Sequence, residues 1–296
     1  MGLRESFPAT GAWVGQFWNL DADRTRKAAR RIEDAGYGVI WIGEAFGREA
    51  LSFAAILLAA TSRIRVATGV ANLWGRDALA MINAGRTLAE AFSDRFVLGL
   101  GISHGPLVGR RGHEYGRPMA TTREYLDAIE TAPYRGPAPT GGLPIVLGAL
   151  GEQMLELAAD RTHGAHPYKV VPDHSRRARQ VMGRDALLAP EHAFALTSDR
   201  EIARAAARNH LKIYLGLDNY VRSFRRQGFQ DHDFADGGSD RLLDALVAWG
   251  QPDEVARRLQ EHLDAGADHV AAHPLDADGL DDPIDQLERL AAELHG

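Results

Sequence analysis

Two apolar strands separated by a helix occupy residues 61–106, and this arrangement restricts what the chain can fold into. The pattern predicts a buried strand over Ile64–Val70, a helix over Asp77–Phe92 and a second strand over Phe96–Gly101. A strand, a crossover helix and a strand form a βαβ unit, so the two strands should be parallel and their carboxyl ends should meet at one edge. Ligands of α/β proteins bind at that edge.

The alternation of apolar strands with amphipathic helices continues along most of the 296 residues. Eight strands that alternate with helices favour a (β/α)₈ TIM barrel over an open sheet, and we expect a single domain over residues 1–296. Residues 211–248 have a helical pattern and no strand, which predicts a helical insertion before the last strand. The eight predicted strands are Trp13–Phe17, Val39–Gly43, Ile64–Val70, Phe96–Gly101, Ile145–Gly148, Gly164–His166, His192–Leu196 and His269–Ala272.

Composition excludes several functional classes. A formal net charge of −6 argues against a protein that binds nucleic acid without sequence preference. The chain has no cysteine, so it has no disulfide, no thiolate nucleophile and no zinc ribbon, as is typical of proteins of the reducing cytoplasm. No apolar run approaches the length of a membrane span. These features predict a cytoplasmic protein with no nucleic-acid or membrane partner.

Several stretches of the chain resemble the conserved strands of one enzyme superfamily. They are Asp34–Glu44 (DAGYGVIWIGE), Ile64–Val70 (IRVATGV), Asp94–Gly101 (DRFVLGLG), Leu143–Gly151 (LPIVLGALG), Leu157–Ala165 (LAADRTHGA), Gly250–Ala256 (GQPDEVA) and Ala265–Val270 (AGADHV). In this order they resemble the bacterial luciferase-like monooxygenases, which are TIM barrels. Further stretches resemble the branch that uses the deazaflavin coenzyme F420; they are Ser103–Val108, Ala165–Tyr168 and Tyr214–Tyr220.

The resemblance implies a coenzyme F420-dependent oxidoreductase that transfers hydride between the deazaflavin and an activated alkene, imine or carbonyl. Ala45 occupies the position of the acid/base histidine of related sugar-phosphate dehydrogenases, so sugar-phosphate oxidation is not expected. The shared strands do not distinguish the deazaflavin from flavin mononucleotide (FMN), and an FMN-dependent monooxygenase is the main alternative. A flavin-binding barrel without catalysis is a further alternative. Because similar barrels are often oligomers, we expect a homodimer.

The resemblance also implies where the coenzyme would lie. The ring would cross the barrel mouth, with a non-proline cis peptide bond at Gly69–Val70 under one face and Glu44 beside it. The ring contacts expected from this placement are Glu44, Gly69, Val70, Asn72, Gly101 and Ser103. The coenzyme phosphate is expected at the turn formed by Gly148, Ala149, Leu150 and Gly151, because small residues let backbone N–H groups approach an anion at a helix start. An ordinary strand-to-helix turn is the alternative there. The basic residues Lys169, Arg176, Arg177 and Arg179 are candidates to meet an acidic coenzyme tail.

Three residues are candidates for catalysis. Glu44 would accept a hydrogen bond from the ring or position a proton donor, unless it simply pairs with an arginine. His104 is a candidate proton donor because imidazole has a pKa near neutrality, and His166 at the end of the sixth strand is similarly placed. His163 and His166 are three residues apart but have no third ligand, so no metal site is predicted.

The residues after the fourth predicted strand raise two further hypotheses. Residues 101–105 satisfy the Gly-x-Ser-x-Gly pattern of serine hydrolases, but that elbow needs a helix directly after the serine. Pro106, Gly109 and Gly112 argue against such a helix, so a serine hydrolase is disfavoured. The glycine-rich loop from Gly105 to Pro118 is predicted to cover the site.

Overall fold

The computed structural model describes residues 3–296 and arranges them around a curled parallel sheet. Its strands are β1 (Thr10–Trp13), β2 (Val39–Ile42), β3 (Arg65–Thr68), β4 (Ala71–Asn72), β5 (Phe96–Gly101), β6 (Ile145–Leu147), β7 (Gly164–Ala165), β8 (Leu187–Leu188), β9 (Glu191–Ala195), β10 (Val247–Trp249) and β11 (Val270–Pro274). The α-helices are α1 (Leu3–Ser6), α2 (Ala22–Asp34), α3 (Ala50–Ala60), α4 (Ala78–Ala91), α5 (Gly105–Arg110), α6 (Pro118–Thr131), α7 (Glu152–Arg161), α8 (Pro172–Met182), α9 (Arg200–Leu211), α10 (Asp218–Arg226), α11 (Asp240–Leu246), α12 (Pro252–Asp264) and α13 (Pro283–His295). Short 3₁₀ helices occur at Gly15–Asn19, Leu73–Gly75, Tyr214–Gly216 and Asp231–Gly237.

The strands close into a barrel through the backbone of residues 187–195. Along the sheet the order is β10-β9-β11-β1-β2-β3-β5-β6-β7-β8, every pair is parallel, and β4 pairs with β5. The Ala189 N–H donates to the Ala165 carbonyl on one side, at 2.9 Å. On the other side the Ala271 N–H donates to the Pro190 carbonyl, also at 2.9 Å. The same short segment therefore pairs with β7 through β8 and with β11 through β9, which closes the ring of strands, and the predicted TIM barrel is confirmed.

Local sequence explains where the outer helices begin. Asp21, Asp77 and Asp199 each precede a helix and accept a hydrogen bond from a backbone N–H of its first turn. Such caps satisfy N–H groups that have no partner inside the helix. The strands β2 and β5 follow two of these helices, α2 and α4. Every residue of both strands is buried, as expected for parallel strands covered on both faces.

Three expectations about the elements are wrong. The first strand is β1, and most of the predicted Trp13–Phe17 strand forms a 3₁₀ helix instead. Phe17 is fully buried from that helix, so its apolar character reports burial rather than strand structure. Residues 211–248 are mostly helical, but β10 follows α11 directly and pairs with β9. A three-residue strand is too short to give a pattern of its own.

The third difference concerns α5, which starts two residues after Ser103 where no helix was predicted. Pro106 lies in the first turn of this helix, where its missing N–H costs nothing. Among residues 3–296, no helix combines the length and the apolar character that a membrane span requires.

Candidate active site

A cleft open to solvent, with about 870 Å³ of empty space, lies at the carboxyl ends of the barrel strands. The predicted site residues other than Gly151 all line it; they are Glu44, Gly69, Val70, Asn72, Gly101, Ser103, His104, Gly148, Ala149, Leu150 and His166. Residues from distant parts of the chain are thus brought to one place, as the βαβ argument predicts.

The floor of the cleft is made of glycines packed around Val70. The peptide bond between Gly69 and Val70 is cis, as expected from the resemblance. A Cβ atom at Gly101 would lie 2.2 Å from Val70 Cγ2, and one at Gly148 would lie 3.3 Å from Val70 Cγ1. Side chains at these positions would displace Val70 or fill the space above it. The glycines therefore keep a flat, uncluttered surface that suits a planar ring.

Two buried polar atoms beside this floor have no partner within residues 3–296. They are the indole Nε1 of Trp13, which is a donor, and Nε2 of His166. A Cβ atom at Gly69 would lie 2.8 Å from the first and 2.9 Å from the second. Buried polar groups are rarely left unsatisfied, so the pair is an argument for a ligand or an ordered water at this point.

His166 is held as a neutral imidazole. Its Nδ1 lies 2.7 Å from the Ala189 carbonyl oxygen, which can only accept, so Nδ1 carries the proton and Nε2 carries the lone pair. The ring stacks on Trp41 at 4.0 Å between centroids, and burial lowers the pKa of His166 to about 4. At neutral pH this geometry favours a hydrogen-bond acceptor at Nε2.

Glu44 lines the cleft, but protein groups already bind its carboxylate. It forms a salt bridge with the Arg76 guanidinium, and it accepts a hydrogen bond of 2.7 Å from the Asn72 N–H. Arg76 also pairs with Glu49 at 2.5 Å. Glu44 and Arg76 therefore fasten β4 and the residues after it to the end of β2, which is the arginine-paired alternative. Its contact with a coenzyme stays a prediction.

His104 stands at the start of α5 and faces the helices of the insertion. The side-chain amide of Asn219 lies 3.4 Å from its Nδ1, and the Tyr220 ring lies 5.5 Å away between centroids. Burial lowers the pKa of His104, so the neutral ring predominates at pH 7. As placed, the Asn219 amide donates to Nδ1, which leaves the proton on Nε2. Proton donation by His104 stays a prediction.

Ser103 has the backbone of a nucleophile elbow without its base. Its φ is 65°, and α5 begins two residues later, so the argument that no helix follows the serine is wrong. In residues 3–296, however, no histidine forms a hydrogen bond with the Ser103 hydroxyl. Without such a general base a serine hydroxyl is a weak nucleophile. The segment predicted as a lid is partly helical, and the Tyr115 hydroxyl donates to the Ser103 carbonyl at 3.3 Å.

The predicted phosphate turn carries a cation that the sequence did not reveal. Arg226, at the end of α10, donates from Nη2 to the Leu150 carbonyl at 3.4 Å. A Cβ atom at Gly151, the residue before α7, would lie 3.6 Å from the same nitrogen. Desolvation and the neighbouring Arg222 lower the pKa of Arg226. A guanidinium at a helix N-terminus adds to the attraction for an anion.

Two of the four basic residues suggested for the coenzyme tail are engaged elsewhere. Lys169 is buried and its Nζ lies 2.9 Å from Glu191 Oε1. Arg179 binds the Gly266 carbonyl and Asp268, before the amino end of β11 and therefore at the opposite end of the barrel. Neither residue reaches the cleft as a free cation, so that hypothesis is wrong for both.

A buried polar cluster lies directly behind one wall of the cleft. Glu191 Oε1 accepts from Lys169 Nζ and lies 2.7 Å from His273 Nδ1. The ligand atoms of Glu191, His210 and His273 all lie within 4.8 Å of one another. A divalent cation among them would meet the Lys169 ammonium, which already neutralises the carboxylate. We therefore interpret the cluster as an ion-paired network.

Five aromatic residues also line the cleft, and the sequence did not identify them as site residues. They are Trp13, Trp18, Tyr168, Tyr214 and Tyr220. The only signal was indirect, because the three tyrosines fall in stretches that resemble the deazaflavin-using branch.

Comparison with known proteins identifies the family of this chain. A model of the luciferase-like monooxygenase family matches residues 7–269. The chain belongs to this family. It is 25% identical over 286 residues to a 5,10-methylenetetrahydromethanopterin reductase of Methanolobus tindarius, a match that covers 82% of this chain and 88% of that protein.

Solved structures of the family share the fold. An F420-dependent secondary alcohol dehydrogenase, solved with an F420–acetone adduct, has a TM-score of 0.74 at 12% identity and covers 97% of this chain and 99% of its own. A coenzyme F420-dependent tetrahydromethanopterin reductase from Methanopyrus kandleri has a TM-score of 0.73 at 17% identity, with 97% and 98% covered. At these identities the similarity establishes the barrel fold but not the roles of individual residues.

Proposed function

We propose that this protein is a coenzyme F420-dependent oxidoreductase that transfers hydride between the deazaflavin and a small organic substrate. The observation that carries the proposal is the flat floor around Gly69, flanked by the unpartnered donor of Trp13 and the unpartnered acceptor of His166. A planar heterocycle with both kinds of hydrogen-bonding group on its edge fits such a surface. The F420-dependent enzymes that share this fold support the choice of coenzyme.

The residues present would hold such a coenzyme at two points. Gly69, Val70 and Gly101 would support one face of the ring. The turn before α7, with Arg226 beside it, would receive the phosphate through backbone N–H groups and the guanidinium. Reduced F420 supplies hydride equivalents to its substrate, and the protein contributes binding, orientation and electrostatics.

Other residues fix the floor of the cleft and form its walls. The Glu44–Arg76 pair fixes the β4 segment through the Asn72 N–H, so that the floor keeps its position. The aromatic side chains give the cleft largely apolar walls, against which a substrate would pack. The neutral His166 accepts a hydrogen bond and does not release a proton at neutral pH. We further propose that the substrate is an activated alkene, imine or carbonyl. We also propose that the protein is a cytoplasmic homodimer.

A side-by-side titration of the purified protein with F420 and with FMN tests the proposal. We expect F420 to bind more tightly, as followed by fluorescence quenching and calorimetry. Gly148→Leu should abolish tight binding because its side chain would occupy the space beside Val70. Ala205→Leu, on the exposed face of α9, is the matched control for added bulk. A preference for FMN would favour a monooxygenase, and binding of neither coenzyme would overturn the proposal.

A further inference from the structure

Two tyrosines from separate parts of the chain bring their hydroxyl groups together in the wall of the cleft. Tyr168 follows β7, Tyr214 begins the 3₁₀ helix after α9, and both line the same cleft as Gly69. Their hydroxyl oxygens are 3.4 Å apart, and their ring centroids are 5.7 Å apart. The two side chains therefore converge at their polar ends.

The hydroxyl pair keeps one hydrogen for a ligand. Each phenol has one O–H hydrogen, and a single hydrogen bond joins the two groups. Within residues 3–296, neither hydroxyl has another hydrogen-bond partner. Whichever tyrosine donates to the other, one O–H remains without an acceptor. Burial raises the pKa of Tyr214 to about 12 and that of Tyr168 well above 10, so both groups stay protonated at neutral pH.

A buried cation lies behind the pair. Lys169 Nζ is 3.7 Å from the centroid of the Tyr168 ring and 5.4 Å from that of Tyr214. The ammonium is fixed there by Glu191, which is itself fully buried. A cation against the face of a phenol withdraws electron density from the ring, which makes the O–H a stronger hydrogen-bond donor.

We propose that the Tyr168–Tyr214 hydroxyl pair is the subsite for the carbonyl oxygen of the substrate, which makes the substrate a ketone, an aldehyde or an enone. A simple alkene has no acceptor for the free O–H, and a cationic imine has no lone pair to offer. This inference rests on the proposed function for the nature of the reaction. In many enzymes, preorganised donors that point at a developing negative charge make the largest single contribution to the rate enhancement.

The reaction balances with the groups already named. Hydride addition to the carbonyl carbon, or to the conjugated carbon of an enone, forms a C–H bond and moves an electron pair onto the oxygen. The hydroxyl pair stabilises that oxygen by hydrogen bonding, and water supplies the proton that completes the product. The reduced deazaflavin is oxidised by two electrons.

Binding of 4-nitrophenolate tests the subsite without any coenzyme, because its oxygen carries the charge that the carbonyl oxygen develops. We expect the wild-type protein to bind it, as measured by absorbance change and calorimetry. Tyr168→Phe and Tyr214→Phe should each weaken binding by about tenfold or more, because each removes either the hydroxyl that donates to the charged oxygen or the partner hydroxyl that positions that donor. Tyr134→Phe, outside the cleft, should leave binding unchanged. 4-Nitrotoluene, which lacks the oxygen, should bind all four proteins equally.

Two results would overturn the inference: no binding of 4-nitrophenolate to the wild-type protein, or equal affinity in the wild type and in the Tyr168→Phe/Tyr214→Phe double variant. The F420 titration is a separate measurement. A protein that binds F420 but fails the phenolate test keeps the oxidoreductase proposal and loses the subsite. Phenolate binding that depends on the tyrosines in a protein that binds no F420 gives the reverse outcome.

Discussion

The indole nitrogen of Trp13 and Nε2 of His166 lie against the same glycine, Gly69, as an unpartnered donor and an unpartnered acceptor. Leaving a buried polar group unsatisfied costs about 1–3 kcal/mol. A bound molecule that accepts from Trp13 and donates to His166 recovers this free energy, so the pair contributes to the affinity for a ligand.

Trp13→Phe removes the donor of this pair and keeps an aromatic ring. We expect the affinity for F420 to fall by about five- to tenfold, the usual value of one lost neutral hydrogen bond. Trp249→Phe on β10 is the matched control, since its indole N–H donates to Asp244 rather than to the cleft. An unchanged dissociation constant for Trp13→Phe would contradict a role for the indole in binding.

Gly69→Ala tests the floor itself. The added methyl group would lie under 3 Å from both buried rings, so they must move. We expect a loss of about 1–3 kcal/mol in the free energy of unfolding, the usual cost of overpacking, together with at least tenfold weaker coenzyme binding. Urea denaturation and fluorescence titration measure the two effects. If stability falls while the coenzyme binds as before, the floor is structural only.

Glu44→Gln separates the structural contribution of this residue from a catalytic one. The change leaves the buried Arg76 with Glu49 as its remaining ion-pair partner, so we expect a loss of about 1–3 kcal/mol in unfolding free energy. Asp23→Asn, in an exposed ion pair with Arg26, is the matched acid-to-amide control and should cost under about 1 kcal/mol. Equal stability of the two variants would show that the Glu44 carboxylate is not needed to fasten β4.

Arg226→Gln tests the phosphate turn. We expect F420 to bind about tenfold more weakly, because a guanidinium that could bind the phosphate is lost from the start of α7. The salt dependence of binding should also become shallower, since one charge contact is gone. Arg257→Gln, whose side chain pairs with Asp253 on the surface, is the control. An affinity for F420 that is equal in both variants would remove Arg226 from the site.

The sequence predicted the elements whose signal is local. Phe96–Gly101 has the predicted bounds because all six residues are apolar or glycine and all are buried. The barrel followed from counting such strands. The three-residue β10 was missed because it is too short to show a periodic pattern. The strand predicted at Trp13–Phe17 was wrong because burial in a 3₁₀ helix and burial in a strand select the same residue types, and Phe17 is such a buried residue.

Side-chain partners were the less predictable part of the site. The cleft residues were placed correctly by the rule that parallel strands end at one edge. Which groups face one another depends on the closure of the barrel, and no pattern in the chain reports it. Arg76 is 32 residues from Glu44, and Tyr214 is 46 residues from Tyr168. Lys169 could be read from the sequence as a basic residue, but not as a buried partner of Glu191.

The buried histidines make the folded state sensitive to acid. Burial lowers the pKa of His166, His174 and His192 to about 4, and that of His269 to about 3. In the unfolded chain a histidine has a pKa near 6.5. Between pH 6.5 and about 4 the unfolded state therefore binds protons that the folded state does not, and stability rises with pH across this window.

The contribution of each histidine is fully present above pH 6.5 and is lost at up to about 1.4 kcal/mol per pH unit as the pH falls toward 4. We expect urea denaturation to give a free energy of unfolding several kcal/mol lower at pH 5 than at pH 7. His174→Gln keeps a donor for the Leu150 carbonyl. It should lower the slope of the unfolding free energy against pH by the contribution of one proton. Equal slopes in the wild type and in His174→Gln would mean that His174 is not held neutral by burial.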